Sequence, residues 1–225
     1  MGEVTIEQLE CYGATSTVAR IQWATMRWHS GAPPCYAEFV DVVETAVAQI
    51  CNELARDPQM HYGQKEDHIT YGLVGRLKVF GFHAAFDTTV GGHCDVVVKW
   101  NDDLIWLAEA KHYTSNSWLW KGYQQLSSRY STGEPRGSRG GMLIYCSKPR
   151  TDLLMESWKG YMLDQCSDFV FEPKPDRLAN AFSSHAVSNR TGVAEVVTHF
   201  PVSIYFEPLD RPKKPRKKAS KKAIR

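Results

Sequence analysis

The spacing of apolar and polar residues predicts a chain that alternates helices with strands. After Pro33-Pro34, apolar residues recur every three or four positions, which is typical of a helix with one buried stripe. Elsewhere, short apolar runs bounded by Gly, Pro, Asn or Asp are typical of strands. The predicted helices lie at 36–54, 65–80, 117–130, 151–162 and 176–182, and the predicted strands at 82–90, 96–98, 104–108, 142–146, 169–171 and 193–206, the last broken at Pro201.

Residues 91–111 predict a β-hairpin with charged residues at its open end. Two apolar runs flank the turn signal Asn-Asp-Asp at 101–103. If the turn is centred on Asp102, Asp95 lies directly opposite Glu109. Lys111 lies on the same face as Glu109, because side chains alternate along a strand. Two carboxylates and one ammonium group are therefore expected to converge.

Such a cluster needs a compensating cation. Two neighbouring carboxylates raise each other's pKa unless a positive charge lies between them, and hard divalent ions prefer carboxylate oxygens. The pattern therefore predicts a Mg²⁺ or Mn²⁺ site with Asp95 and Glu109 as ligands. Lys111 would orient or deprotonate a water and neutralise charge on a phosphate. The competing interpretation is an ordinary exposed hairpin end with a salt bridge.

These residues carry a resemblance to a known family. Asp95 is followed after thirteen residues by Glu109-Ala110-Lys111 and preceded by Gly92-His93-Cys94. This arrangement resembles the active-site hairpin of the PD-(D/E)xK nuclease superfamily, with Cys94 in place of the proline. The resemblance covers about residues 62–147. It implies an α/β fold with an αβββαβ restriction-endonuclease-like core, a mixed central sheet flanked by helices, Mg²⁺ dependence, and cleavage of DNA or, less often, RNA.

The resemblance also suggests supporting residues on the flanking helices. Glu66 lies on the inward stripe of the second predicted helix, where the family often places a metal-binding glutamate. The alternative for Glu66 is an N-terminal residue that complements the helix dipole. Several branches of the family place a glutamine on the helix after the hairpin, and Gln124 or Gln125 matches that position. The alternative there is a solvated helix face.

Further residues are candidates for contacts with nucleic acid. Lys121, Gln125 and Arg129 form a polar stripe on the helix at 117–130, with Trp118 expected toward the opposite side. His93 could contact a phosphate, although a structural hydrogen bond is the favoured interpretation. Glu44, in the first long helix, is either an active-site acid or, as favoured, a surface residue that complements the helix dipole.

The distribution of charge divides the chain. Residues 211–225 contain nine Lys or Arg and no acid, which leaves 18 basic and 25 acidic residues, or about −7, in residues 1–210. A basic, proline-containing arm on an acidic globular body indicates a disordered tail that binds nucleic acid or serves only for solubility. The predicted division is an N-terminal helical extension at 1–60, a nuclease-like domain with C-terminal additions at 61–208, and a basic tail at 209–225. The candidate tail contacts are Lys213, Lys214, Arg216, Lys217 and Lys218.

Composition excludes several other classes of protein. No apolar segment is long enough to span a membrane, and no signal sequence begins the chain, so we expect a cytoplasmic protein without a membrane partner. The six cysteines form no C-x-x-C pair, so zinc and iron–sulfur sites are not predicted.

The residues and the resemblance together favour a Mg²⁺-dependent nuclease acting on DNA, and the resemblance alone implies a host-defence or restriction setting. The alternatives are a nuclease-like module that binds nucleic acid without cutting it, and a subunit of a larger complex. A homo-oligomer or a partner protein could form through the N-terminal region, where Trp23 and Trp28 are available for packing.

Overall fold

The structure, a computed structural model, describes residues 16–89, 93–101, 103–129, 138–188 and 191–208. The described residues begin with four helices before the first strand, so helices and strands are both present, as the residue pattern predicts, but do not strictly alternate. The helices are α1 (Thr17–His29), α2 (Tyr36–Arg56), α3 (Pro58–His61), α4 (Glu66–Val79), α5 (Asn116–Arg129) and α6 (Thr151–Gln165). The strands are β1 (His83–Thr89), β2 (His93–Trp100), β3 (Leu104–His112), β4 (Arg139–Cys146), β5 (Val170–Pro173), β6 (Phe182–Val187) and β7 (Ala194–Ser203).

The strands form one mixed sheet in the order β1-β2-β3-β4-β7-β6-β5. The central strands β3, β4 and β7 are parallel, and antiparallel strands extend the sheet on both sides. The predicted mixed central sheet with flanking helices is therefore confirmed. From Glu66 to Cys146 the elements follow the order α-β-β-β-α-β.

The register of the β2–β3 hairpin is the one that the turn predicts. Val96 pairs with Ala108 and Trp100 pairs with Leu104, which is the pairing that the sequence predicts. One further step along this register brings Asp95 opposite Glu109. The charged residues thus lie at the carboxyl end of β3, the edge at which parallel strands present functional side chains.

The two faces of the sheet bury separate apolar clusters. Helices α1, α2 and α4 cover one face, where the α2 stripe packs on alternate residues of β3 such as Trp106 and Ala108. Helices α5 and α6 cover the other face, against residues such as Leu107 and Ile144. Glu109 and Lys111 share the alternation of Leu107 and therefore lie under α5.

Two predictions on the C-terminal third were wrong. Residues 176–182 are not a helix: turns run from Lys174 to Ala181, and Phe182 begins β6. Strand β7 also continues through Pro201, which pairs with Ile144 of β4, instead of breaking there. Its pairing with β6 ends at His199, so no strand adjoins Pro201 on that side and the missing N–H is tolerated.

The N-terminal region contains α1, a helix for which the sequence predicted no bounds. Its Ile21 and Trp28 are buried against the rest of the core. No helix in the described ranges is both long and apolar enough to cross a membrane.

Candidate active site

Three carboxylates converge on the ammonium group of Lys111. Its Nζ lies 2.7 Å from Glu109 Oε1, and it lies 3.8 Å from both Asp95 Oδ2 and Glu66 Oε1. It also donates to the Ala110 carbonyl at 2.9 Å. Only 2% of Glu109 and 7% of Lys111 are exposed. This is a buried charged cluster and not the exposed hairpin end of the competing interpretation.

Backbone groups fix the orientation of the two outer carboxylates. The Ala110 N–H donates to Asp95 Oδ2 at 2.8 Å, across the hairpin. The His112 N–H donates to the Glu66 carboxylate, and the His112 imidazole contacts the Gln64 carbonyl at 2.9 Å. The first turn of α4 is thereby tied to the end of β3. Hydrogen bonds of this kind hold an anion in one position without a neutralising side chain.

The electrostatics of the cluster follow from burial and from the mutual proximity of the acids. Burial, together with the charge of Asp95, raises the pKa of Glu109 to about 7. Burial also raises the pKa of Asp95 and of Glu66, although the backbone donors and Lys111 oppose this. Burial lowers the pKa of Lys111, but Glu109 and the other carboxylates outweigh it and the net pKa is raised. Lys111 is therefore a firmly protonated internal counter-ion.

The donor set suits a hard divalent cation. Carboxylate oxygens come from β2, β3 and α4, and Glu109 Oε2 is buried without a hydrogen-bond partner among the described residues. As the side chains stand, no three His, Cys, Asp or Glu in the described ranges form a metal-binding group. Lys111 lies where the carboxylates converge. The residues that could hold a cation are therefore Asp95, Glu109 and Glu66, with the ammonium group as the competing cation.

Helix α5 covers the carboxylate cluster on the face of the sheet that carries Glu109 and Lys111. A Cβ added at Gly122 would lie 3.0 Å from Lys111 Cγ and 3.2 Å from Lys111 Cε, so glycine allows a close approach that any larger residue would make tight. The Trp118 ring lies 5.8 Å from Lys111 Nζ and 5.9 Å from Lys121 Nζ. Trp118 thus faces the site, and the prediction that it lies opposite Lys121 was wrong.

The two candidate glutamines lie on different flanks of α5. Gln125 follows Trp118 and Gly122 by seven and three residues, so it shares their flank, and it is half-buried. Gln124 instead lines a cavity on the other flank. Helical spacing therefore favours Gln125 over Gln124 as the glutamine on the side of the cluster, and its role there stays a prediction.

The candidate nucleic-acid contacts are only partly described. His93 is 77% exposed in its side chain, and its Nδ1 lies 3.0 Å from Asp87 Oδ1. A contact of His93 with phosphate stays a prediction. Lys121 is exposed beside Trp118. The side chain of Arg129 and the whole of residues 211–225 lie outside the described residues. The tail positions Lys213, Lys214, Arg216, Lys217 and Lys218 therefore stay predictions.

Glu44 is the clearest correction to the sequence interpretation. It is fully buried and not on the surface, and it lies 3.1 Å from Arg139 and 3.8 Å from Arg177. Burial raises its pKa in spite of the two guanidinium groups. It packs on the face of the sheet opposite Glu109, so it fastens the start of β4 to α2 and is no part of the carboxylate cluster.

Sequence reasoning missed two residues that shape the site, Gly122 and Trp118. A glycine inside an otherwise good helix was the available signal, because it costs about 1 kcal/mol relative to alanine and marks a close approach.

Comparisons with known proteins add no family to this geometry. No protein-family model matches the chain, and neither a curated protein nor a solved structure matches it.

Proposed function

We propose that the protein is a Mg²⁺-dependent nuclease that hydrolyses phosphodiester bonds, with DNA as the favoured substrate. The observation that carries this proposal is the convergence of Asp95, Glu109 and Glu66 around the buried Lys111. The order of elements from α4 to β4 agrees with the αβββαβ core of the PD-(D/E)xK superfamily that the hairpin resembles. By that resemblance the protein would act inside the cell, in host defence or restriction.

Each residue of the cluster has a distinct role in this proposal. Asp95, Glu109 and Glu66 would hold the cation, and bound Mg²⁺ would supply Lewis-acid activation of the phosphate and of the attacking water. Lys111 has three N–H donors, of which two already bond Glu109 and the Ala110 carbonyl, and its charge would neutralise the charge that develops on the phosphate oxygens. Trp118 and Gly122 set the position of that stem. Gln125 and Lys121 lie beside the path that a nucleic-acid strand would take along α5.

The test is a cleavage assay with a matched control. Supercoiled plasmid, linear duplex, single-stranded DNA and RNA are each incubated with the full-length protein in Mg²⁺, Mn²⁺ or EDTA. Wild type is compared with Glu109→Gln, which keeps the shape of the side chain, and with Glu156→Gln, an exposed acid on α6. We expect metal-dependent cleavage that only Glu109→Gln abolishes. Cleavage by Glu109→Gln at the wild-type rate would refute the assignment.

A second candidate function is a nuclease-like module that binds nucleic acid without cutting it. The observation in its favour is that Lys111 already neutralises the carboxylates through a 2.7 Å hydrogen bond to Glu109. Fluorescence anisotropy with labelled DNA separates the two functions. Tight binding, with no cleavage under any metal condition, would favour the module.

A further inference from the structure

The cavity that Gln124 lines lies on the flank of α5 away from Lys111. Its volume is about 850 Å³, within the range of small-molecule sites. Trp120, Tyr123 and Gln124 line it from α5, whereas Trp118 and Gly122 approach Lys111 on another flank of the same helix. The opposite wall comes from the chain after α6 and from the adjoining ends of β6 and β7. One helix therefore separates this cavity from the carboxylate cluster.

The cavity has an aromatic wall. The rings of Trp120 and Tyr123 stack at 5.3 Å between centroids, and Phe169 meets both edge-on, at 6.3 Å and 5.5 Å. Trp120 is half-buried, so part of its ring borders the cavity. A wall of this kind offers π surface to a flat ring.

A buried carboxylate supplies the polar recognition. Glu195, near the start of β7, is 7% exposed, and its Oε1 is buried without a hydrogen-bond partner among the described residues. It shares its face of the sheet with Val197, which belongs to the apolar cluster under α5 and α6. An unpaired buried acceptor is costly, so a ligand whose donors meet the Glu195 carboxylate once this side chain turns toward the cavity would be favoured.

The charges around the cavity limit the ligand further. No lysine or arginine among the described residues lines it, and Asp168 adds a second acid. A phosphate group is therefore disfavoured inside it. The best match is a flat, uncharged ring with adjacent N–H donors on one edge.

We propose that this cavity binds a guanine base. Guanine presents its ring N1–H and its N2 amino group side by side, so it can donate two parallel hydrogen bonds to one carboxylate. Adenine and cytosine present a single amino group next to a ring acceptor, and thymine presents one N–H between two carbonyls. A carboxylate therefore discriminates in favour of guanine by charge as well as by the number of hydrogen bonds.

The source of the base rests on the proposed nuclease function. A guanine of the substrate, turned out of its stack, would be held beside Trp120 while the backbone passes the carboxylate cluster across α5. The protein would then cleave at a fixed distance from a guanine. The free nucleoside carries the same recognition chemistry, so the experiment includes both sources.

The first arm of the test measures nucleoside binding and needs no cleavage. Guanosine, inosine and adenosine are titrated into the full-length protein by calorimetry. We expect guanosine to bind at least tenfold more tightly than the other two, because inosine lacks the amino group and adenosine lacks both adjacent donors. Glu195→Gln should weaken guanosine binding at least tenfold, and Glu156→Gln should leave it unchanged. Equal affinity for the three nucleosides, or equal affinity in Glu195→Gln, would overturn the proposal.

Two further measurements check that the variants are folded and that the stacking surface contributes to binding. Thermal unfolding establishes that each variant is folded. Trp120→Leu keeps the carboxylate but removes the stacking surface, so it should weaken binding of all three nucleosides. Unchanged guanosine affinity in a folded Trp120→Leu protein would also overturn the assignment.

The second arm identifies the source of the base. Single-stranded oligonucleotides with and without one guanine are compared in the Glu109→Gln background, where no cleavage is expected. A preference for the guanine-containing strand that disappears with Glu195→Gln supports recognition of a substrate base. Guanosine binding without any preference between the strands would overturn that part and identify a free guanine nucleoside as the ligand. Absence of nuclease activity would refute the proposed function without affecting the first arm.

Discussion

Lys111 donates a 2.7 Å hydrogen bond to Glu109, two residues earlier on the same strand, and both side chains are buried beneath α5. The two residues of this pair contribute unequally to the free energy of unfolding. Removing the ammonium group leaves three carboxylates without their shared cation. Removing the charge of Glu109 relieves repulsion with Asp95 and Glu66.

We therefore predict opposite effects on stability from two substitutions in this pair. Lys111→Met should lower the free energy of unfolding by about 3–5 kcal/mol, the usual result of breaking a buried charge pair from one side. Glu109→Gln should leave the melting temperature unchanged or raise it. Lys121→Met, which removes an exposed lysine, should change stability by less than about 0.5 kcal/mol. Urea unfolding in EDTA measures all three. A Lys111→Met protein as stable as wild type would contradict the role of Lys111 as counter-ion.

Among the carboxylates, we predict a graded effect on cleavage. Asp95→Asn and Glu109→Gln should each reduce single-turnover cleavage at least about 100-fold, because each removes a metal-binding charge. Glu66→Gln should cost about 10-fold, because its amide oxygen can still accept from the His112 N–H. Rates are compared at saturating Mg²⁺. A larger loss in Glu66→Gln than in Asp95→Asn would reverse this ranking of the ligands.

A paired glycine experiment tests the contact between α5 and Lys111. Gly122→Ala introduces a Cβ about 3 Å from the Lys111 stem and from Met142, so it should lower both stability and cleavage rate. Gly160 in α6 has nothing within 4 Å of the same added atom. Gly160→Ala should therefore stabilise the protein by up to about 1 kcal/mol through helix propensity alone. If both variants gain stability, the Lys111 stem moves aside without cost.

The pH dependence of stability should have two opposing contributions. The folded-state pKa of Glu109, about 7, exceeds the ordinary value of 4.5, so the folded state binds more protons and stability falls as pH rises through this window. Burial, with the charge of Lys159, lowers the pKa of His199 to about 3 from 6.5, so stability falls as pH drops from about 6.5 toward 3. The free energy of unfolding is measured by chemical unfolding from pH 4 to pH 8. Its decline near neutral pH should be much smaller in Glu109→Gln than in wild type. The control Glu156→Gln should retain it.

The basic tail predicts a salt dependence that deletion would alter. Nine positive charges in residues 211–225 would release several counterions on binding duplex DNA, with a log–log slope approaching −0.9 per phosphate contacted. Deleting the tail should flatten the slope by several units and weaken all sequences about equally, because phosphate contacts carry no base information. Binding is measured between 50 and 300 mM salt. An unchanged slope would favour a solubilising role.

The hairpin could be predicted because its determinants are local. The turn at 101–103 and the apolar runs beside it fix the register, and the register alone brings Asp95 opposite Glu109. The helices α2 and α4 were predictable for the same reason, since one stripe of apolar residues defines each of them.

What could not be predicted depends on residues that are distant in sequence. In the sequence, Glu44 looks like a surface acid, because its partner Arg139 lies 95 residues later in the chain. Strand β6 reads Phe-Ser-Ser-His-Ala-Val, with weak strand propensity, and it forms because β7 supplies its ladder. The depth at which Glu109 and Lys111 lie was hidden as well, because α5 provides the cover and Gly122 allows the close approach.

Because Lys111 places a positive charge inside the carboxylate cluster, folding of the protein does not depend on a bound metal ion. In small zinc domains the ligands repel or stay solvated until the metal arrives, so chelators unfold them. Here the chain brings its own positive charge into the cluster and can reach the folded state in a medium without divalent ions. For the proposed nuclease, activation is then an exchange of one cation for another inside a finished fold. The Mg²⁺ concentration needed for that exchange depends on the strength of the interaction between Glu109 and Lys111.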